Sequence, residues 1–373
     1  MRRKVLIDDV FFGISNTGIA RYWLQILLQI RDNSLSKNSD LDLIILNRTG
    51  KLSQLGFETI DFPNYDSIQP SADRMNLSEI CRENKIDILV STYYSFAFGT
   101  YNLLPVYDLI AERFNFNRMN QTWMERELTI RNADGFFTIS KSTKNDLEEI
   151  YSIETSLIKA LIYPGVNSEI FQLENEEIIE KFKAENNLSK YFVFIGNRSG
   201  YKNGELLLDY QKKYRNSDFE FVFVGGEEVD EDINLSNVRY ERMNDEEYRL
   251  LLSGATGLIY PSLYEGFGIP IIEALAVGCP VIALSNSSIP EAGGNLAYYL
   301  ENNTPESLHI AIQEVQSSEL RQKIRKEGPI HARNFNWKES ATIFIRTLES
   351  VDITTTNKPD FYLFTQMSLL MNP

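Results

Sequence analysis

Two glutamates, Glu265 and Glu273, stand on either side of Gly266-Phe267-Gly268-Ile269-Pro270-Ile271-Ile272, with seven residues between them. A carboxylate accepts two hydrogen bonds side by side, so a pair flanking a glycine loop suits bidentate binding of sugar or ribose hydroxyls. Pro270 fits the first turn of a helix, where its missing N–H has no helical partner anyway. Gly278 fits the residue just past the end of that helix, and Pro280 opens the next strand. The backbone N–H groups of Gly266, Phe267 and Gly268 then fall at a helix N-terminus, a place for hydroxyls or anions. Glu273 is the only charge between Gly266 and Pro290. The plainer reading makes it a solvated helix residue. In so apolar a helix it is better read as a buried charge that needs partners.

A second group is Gly196-Asn197-Arg198-Ser199-Gly200-Tyr201-Lys202-Asn203. It puts two cations, Arg198 and Lys202, on a glycine-flanked loop ahead of a helix. Such a loop can grip a diphosphate; the two charges can equally be solvated, and spacing leaves both readings open. In Arg242-Met243-Asn244-Asp245-Glu246-Glu247, Asn244 is a good N-cap with acidic residues in the first turn. Asn16-Thr17-Gly18-Ile19-Ala20-Arg21 lies between a strand and a helix but lacks the spacing of a dinucleotide fingerprint.

These residues need a scaffold, and the chain spells one out. Apolar β-type runs at 4–7, 41–46, 86–92, 104–107 and 135–139 alternate with helical stretches at 19–30, 76–84, 122–132 and 140–150. A turn at 163–167 follows, and the pattern restarts with runs at 191–196, 219–225, 256–260 and 280–284. This is the alternation of a parallel, doubly wound sheet, and the near-continuous apolar runs suit strands covered on both faces. Two Rossmann-like halves are expected, hinged near 165. Glu265 then sits beyond the carboxyl end of a strand, where open α/β sheets bind ligands.

Composition narrows the partners. The 373 residues carry a formal charge of −15, and only two cysteines and two histidines. Such an acidic chain gains little from neutralising phosphates, so nucleic acid is not an expected partner. Two cysteines exclude a disulfide scaffold and a four-cysteine zinc site. Asp40-Leu41-Asp42 and Asp230-Glu231-Asp232 match an acidic metal-diphosphate motif in form only; both read as solvated, and neither a metal nor another cofactor is expected. The uncharged stretch 88–106 holds Ser91, Thr92, Ser95, Gly99, Asn102 and Pro105. It reads as strand, loop and strand rather than a membrane span. The apolar run at the N-terminus is far short of a signal-peptide core. The expected location is cytoplasmic, with at most peripheral contact at the inner membrane face.

The segment 261–283, PSLYEGFGIPIIEALAVGCPVIA, resembles the E-x7-E block of retaining GT-B glycosyltransferases of the GT4 family. The likeness extends over nearly the whole chain and is most specific over 192–294. It implies an α/β GT-B fold of two Rossmann-like domains facing across a cleft. These would be an acceptor domain at 1–167 and a donor domain at 168–349, with a segment at 350–373 returning to the first. It implies that Glu273 binds the ribose of the donor, Glu265 the transferred hexose, and Gly266, Phe267 and Gly268 the sugar hydroxyls. Arg198 and Lys202 would neutralise the pyrophosphate and the leaving group, and the backbone at Met243 would meet the base. Gly18 resembles the family's glycine loop near the donor phosphates, with Arg21 beside it. The Ile289-Pro290-Glu291-Ala292-Gly293-Gly294 block also matches, with Glu291 in a structural role.

Many relatives carry a His-Asp pair near the reacting centre; this chain has Val106-Tyr107-Asp108-Leu109 instead, and no histidine before His309. The donor phosphate itself would then take the acceptor proton. Asp108 either orients acceptor or sugar or caps a helix. The resemblance implies retaining, metal-independent transfer of a hexose, from UDP-glucose first and GDP-mannose second, to a carbohydrate or lipid-linked glycan acceptor. It points to bacterial, including cyanobacterial, exopolysaccharide synthesis. The alternatives are an epimerase-like nucleotide-sugar enzyme and a non-catalytic partner of another transferase.

Overall fold

The computed structural model describes residues 2–15, 17–66, 69–116, 120–215, 218–225 and 238–355. Its contacts divide the described residues into two units, one formed by the part up to 163 together with 337–355, the other by the part from 164 to 336. The first break falls at the turn expected near 165.

Among the described residues, the strands of the first unit are β1 (Arg3–Asp8), β2 (Leu41–Asn47), β3 (Glu58–Asp61), β4 (Ile88–Ser91), β5 (Tyr101–Val106), β6 (Gly135–Thr138) and β7 (Ile158–Leu161). They form one sheet in the order β3-β2-β1-β4-β5-β6-β7, parallel throughout. The order reverses between β1 and β4. Val5, Leu6, Ile7, Ile88 and Val90 are fully buried, as strands with helices on both faces must be. The uncharged stretch 88–106 is indeed strand, loop and strand. Among the described residues, no helix is long and apolar enough to cross a membrane.

The helices Gly18–Asp32 and Trp337–Ser350 pack together in this unit. The sequence reading placed the return to the first half after 349; the structure places it at Trp337. The reason is the apolar stripe Trp337, Ala341, Phe344, Ile345 and Leu348, which recurs at helical spacing and is buried. Trp23, itself fully buried, meets Phe344 at 5.4 Å and Phe137 at 6.2 Å between ring centroids. Its indole N–H donates to the Tyr107 hydroxyl, which donates to the Thr92 carbonyl. The aromatic residues 361–364 and the apolar 369–371 lie outside the described residues, as do Asn16 and the acidic run 227–232.

The second unit contains β8 (Tyr191–Ile195), β9 (Glu220–Val224), β10 (Val238–Glu241), β11 (Gly257–Tyr260), β12 (Val281–Ala283) and β13 (Ala297–Tyr299). Its sheet runs β10-β9-β8-β11-β12-β13, again parallel. The register sets Phe192 beside Phe221 and Phe194 beside Phe223, and the last pair has ring centroids 4.9 Å apart. This aromatic ladder, with Leu207, Leu308 and Ala311 from the covering helices, is the core of the unit. The reversal of order falls between β8 and β11, which places the most favourable ligand crevice beyond the ends of those two strands.

Candidate functional site

Both sequence groups emerge at that reversal. After β8 the chain turns through Gly196 at φ +115°, a left-handed backbone that favours glycine. A Cβ there would stand 3.4 Å from the Lys202 stem. Lys202 ends a short 3₁₀ turn, Gly200–Lys202. Asn203 follows at φ +58°, and its amide donates to the Pro261 carbonyl at 3.0 Å and to Asn303 Oδ1 at 2.8 Å. The Leu263 N–H donates to the Tyr201 carbonyl at 2.7 Å. The loop after β8 is thereby stitched to the loop after β11.

The stitching brings Lys202 Nζ to 2.7 Å from Glu265 Oε1 and 3.3 Å from the Tyr260 hydroxyl. Burial, with the Glu265 carboxylate adding to it, holds the Tyr260 phenol well above its ordinary value. Tyr260 therefore stays neutral, a hydrogen-bonding group beside an ion pair. Arg198 stands four residues before Lys202. Its Nη1 is buried with no hydrogen-bond partner among the described residues. A buried, unmatched guanidinium donor costs free energy until an acceptor arrives, which makes the loop receptive to an anion.

Glu265 is held through its backbone. Its N–H donates to Ser287 Oγ at 2.8 Å. The fully buried Ser288 hydroxyl donates to the carbonyls of Glu265, at 2.8 Å, and Phe267, at 3.0 Å. Gly268, at φ +112°, then caps the helix Ile269–Ala276, with Pro270 in its first turn. Glu273 lies on this helix with 1% exposure. The expectation of a buried rather than solvated glutamate holds, and the end of the helix at Gly278, φ +74°, is also as expected.

Tyr260, Asn203, Ser287 and Ser288 were not singled out by sequence. The Ser287-Ser288 pair ahead of Ile289-Pro290 looks like an ordinary helix start, and only the fold turns it against the glutamate loop. Ser288→Ala should cost about 1–3 kcal/mol, because two carbonyls lose a buried donor. Urea denaturation of the variant checks this.

The remaining residues of interest are spread over both units. Met243 is half-buried in the link between β10 and the helix Asp245–Gly254. Asn244 caps that helix in a reciprocal box with Glu247, each side chain accepting at 3.0 Å. Gly18 and Arg21 open the helix Gly18–Asp32 of the first unit. Asp108 Oδ1 accepts the Ile110 N–H at 3.1 Å, at the start of the helix Ile110–Arg113. It also faces Arg126 Nη1 at 3.8 Å. Asp108 thus fixes the turn just ahead of that helix, whose N-cap position is Leu109.

His309 stacks on Tyr214, ring centroids 4.3 Å apart, and His331 Nε2 contacts the Ala292 carbonyl at 2.8 Å; both are packing residues. Cys279 is a buried free thiol, pushed up to about 12 by burial. Asp42, of the first acidic motif, pairs with Arg2 at 2.7 Å.

A buried polar centre in the first unit also escaped the sequence reading, although Asp8 and Asp9 close its first strand. Arg48 Nε meets Asp8 at 2.6 Å, and Arg48 Nη1 meets Asp73 at 2.6 Å. Ser95 Oγ donates to Asp8 Oδ2 at 2.6 Å. Asp9 accepts the Arg48 N–H at 2.9 Å and the Thr49 hydroxyl at 2.8 Å. Burial raises the Asp9 carboxyl, with these hydrogen bonds opposing it.

Comparison with known proteins agrees with this fold. Residues 175–331 match the family described as glycosyl transferases group 1. The O-antigen chain mannosyltransferase RfbU of Salmonella typhimurium is 22% identical over 330 residues, covering 82% of this chain and 88% of its own. The O-antigen chain mannosyltransferase B of Escherichia coli is 34% identical over 100 residues, 26% of each chain. Among solved structures, Anabaena HepE in complex with UDP and glucose superposes with a TM-score of 0.74 at 16% identity, covering 94% of this chain and all of that one. Residues 175–331 of the second unit are therefore similar to the group 1 glycosyl transferases, and the two parallel-sheet units have the GT-B fold.

Proposed function

We propose that the chain transfers a hexosyl unit from a nucleoside-diphosphate sugar to an acceptor hydroxyl, with retention at the anomeric carbon, in the synthesis of a surface polysaccharide or glycoconjugate. The observation that carries this reading is the convergence of Lys202, Glu265 and Tyr260 at the reversal of the second sheet, with the unmatched Arg198 donor on the same loop. Breaking the bond from sugar to phosphate leaves charge on the nucleoside diphosphate, and two fixed cations stabilise it. Glu265 faces the hexose, and Glu273 holds the ribose. Retention follows from departure and attack on one face, the leaving phosphate taking the acceptor proton. The HepE complex with UDP and glucose supports a UDP-glucose donor, and the two mannosyltransferases support GDP-mannose as second choice.

A thermal panel of UDP, GDP, ADP and dTDP tests the donor site. The matching nucleotide at 100 times its Kd should add about 2.7 kcal/mol of stability. Lys202→Ala and Arg198→Ala should each weaken that binding, by about 1.5–3 kcal/mol for a charge-assisted hydrogen bond. Unchanged affinity in both variants would overturn the diphosphate assignment. Transfer should also survive EDTA; full loss restored by Mn²⁺ or Mg²⁺ would show that a cation, not the two side chains, carries the diphosphate charge.

A further inference from the structure

A cavity of about 390 Å³ opens in the first unit, beyond the carboxyl ends of β1, β2 and β3. That is large enough for a sugar residue. Phe12 and Ile14 line it from the segment after β1, Thr49 and Lys51 from the segment after β2, and Asn64 and Tyr65 from the segment after β3. Ile14 is 55% exposed.

The wall has a consistent chemistry. On a chain with 52 acidic and 37 basic residues, none of the side chains lining this cavity is a carboxylate. Arg48, also on the wall, has its charge balanced from behind by Asp8 and Asp73. Lys51 supplies the cation: its Nζ donates to the Phe12 carbonyl at 2.8 Å, which holds the ammonium at the wall. Tyr65 is pushed up to about 12, mainly by burial, and so keeps its O–H. Thr49 is fixed by its bond to Asp9. Phe12 and Tyr65 give the wall apolar surface for the C–H side of a sugar, while amide, hydroxyl and phenol groups on the wall can meet its oxygens.

We infer that this cavity binds a sugar residue carrying an anionic group, a uronate carboxylate or a phosphate ester, with Lys51 reading the charge and Phe12 and Tyr65 packing on the ring. Its role as the acceptor's place rests on the transfer reading; its capacity to bind the sugar does not.

The test uses the full chain without donor. Methyl glucuronide, glucose 6-phosphate and methyl glucoside are titrated and followed by NMR, with UDP and GDP titrated in parallel by calorimetry. At least one anionic sugar should bind tenfold or more tightly than methyl glucoside, and the tighter of the two identifies the source of the anion. Lys51→Ala should abolish that preference and leave methyl glucoside and nucleotide affinity unchanged. Lys51→Arg should retain the preference, and Tyr65→Ala should weaken all three sugars together. Lys51 is exposed, so its variants should keep the wild-type melting temperature. Methyl glucoside binding as tightly as both anionic sugars, or a preference that survives Lys51→Ala, would overturn the inference. Sugar binding without any nucleotide binding would instead remove the transfer reading and leave the cavity assignment standing.

Discussion

Glu265→Ala should lower kcat by roughly 10²–10³-fold, the scale set by removing one preorganised charge at a reacting centre. Under the proposed transfer, the hexose ring flattens and gains positive charge as its bond to phosphate breaks. A carboxylate beside it stabilises that state more than the ground state, so the loss falls on kcat rather than KM. Glu273→Ala should behave differently. A ribose contact is the same in substrate and transition state, so KM for the donor rises, with a loss of about 1.5–3 kcal/mol. The structure adds a coupling. Glu265 and Lys202 form an ion pair at 2.7 Å in which Lys202 is 20% and Glu265 9% exposed. Removing one partner leaves the other charge in a poorly hydrated place, so Glu265→Ala and Lys202→Ala should be non-additive in a double-mutant cycle. Donor hydrolysis or transfer, measured beside nucleotide affinity, separates these effects. Equal effects of the two glutamate variants on UDP affinity, with kcat untouched, would contradict the division of roles. A protein that binds nucleotide sugar yet never turns it over, across a broad acceptor panel, would favour the non-catalytic alternative.

The second large effect is on stability. Arg48→Ala should destabilise the first unit by about 3–5 kcal/mol, because Asp8 and Asp73 would keep their burial and lose their shared partner. The Arg48 side chain is 1% exposed and that of Asp8 0%. Burial opposes the charge on Arg48, but the two carboxylates outweigh it and raise its affinity for the proton. One guanidinium reaches the ends of β1 and β2 and the helix Pro70–Glu83, so its loss loosens three elements at once. Arg48→Met with Asp8→Asn should recover part of the loss, since fewer unpaired charges then stay buried. Denaturant unfolding of the single and double variants provides the measurement. A single variant within 1 kcal/mol of the parent would mean that water or a neighbouring cation takes over the charge.

The strands that could be read from the amino acids are those with neighbours on both sides. β1, β2, β4, β5 and β6, and β8, β9, β11 and β12, are dominated by Val, Ile, Leu, Phe and Tyr and lie largely buried. Burial on both faces demands an uninterrupted apolar run, and that demand is local to the strand. The four strands that the reading left out, β3, β7, β10 and β13, are the four sheet edges. Each is three or four residues long and has no buried residue. Their sequences, such as Glu-Thr-Ile-Asp and Val-Arg-Tyr-Glu, have no apolar run to recognise, because an edge needs only a neighbour on one side.

The same division runs through the site. The glutamate spacing, the glycine loop, Pro270 and the helix end at Gly278 are local features, so sequence alone determined that two carboxylates bracket a loop and a helix start. What only the tertiary structure decided is which atoms meet. Lys202 and Glu265 are 63 residues apart in the chain, and Ser288 is 23 residues beyond Glu265. Their contacts depend on the reversal of strand order that sets β8 beside β11. The place where the chain returns to the first unit followed the same rule. The apolar stripe of Trp337–Ser350 announces a helix that must be buried, but the surface that buries it, Trp23 and Phe137 of the first unit, is chosen by packing. Hydrophobic periodicity specifies that a face is covered; only the assembled core specifies by what.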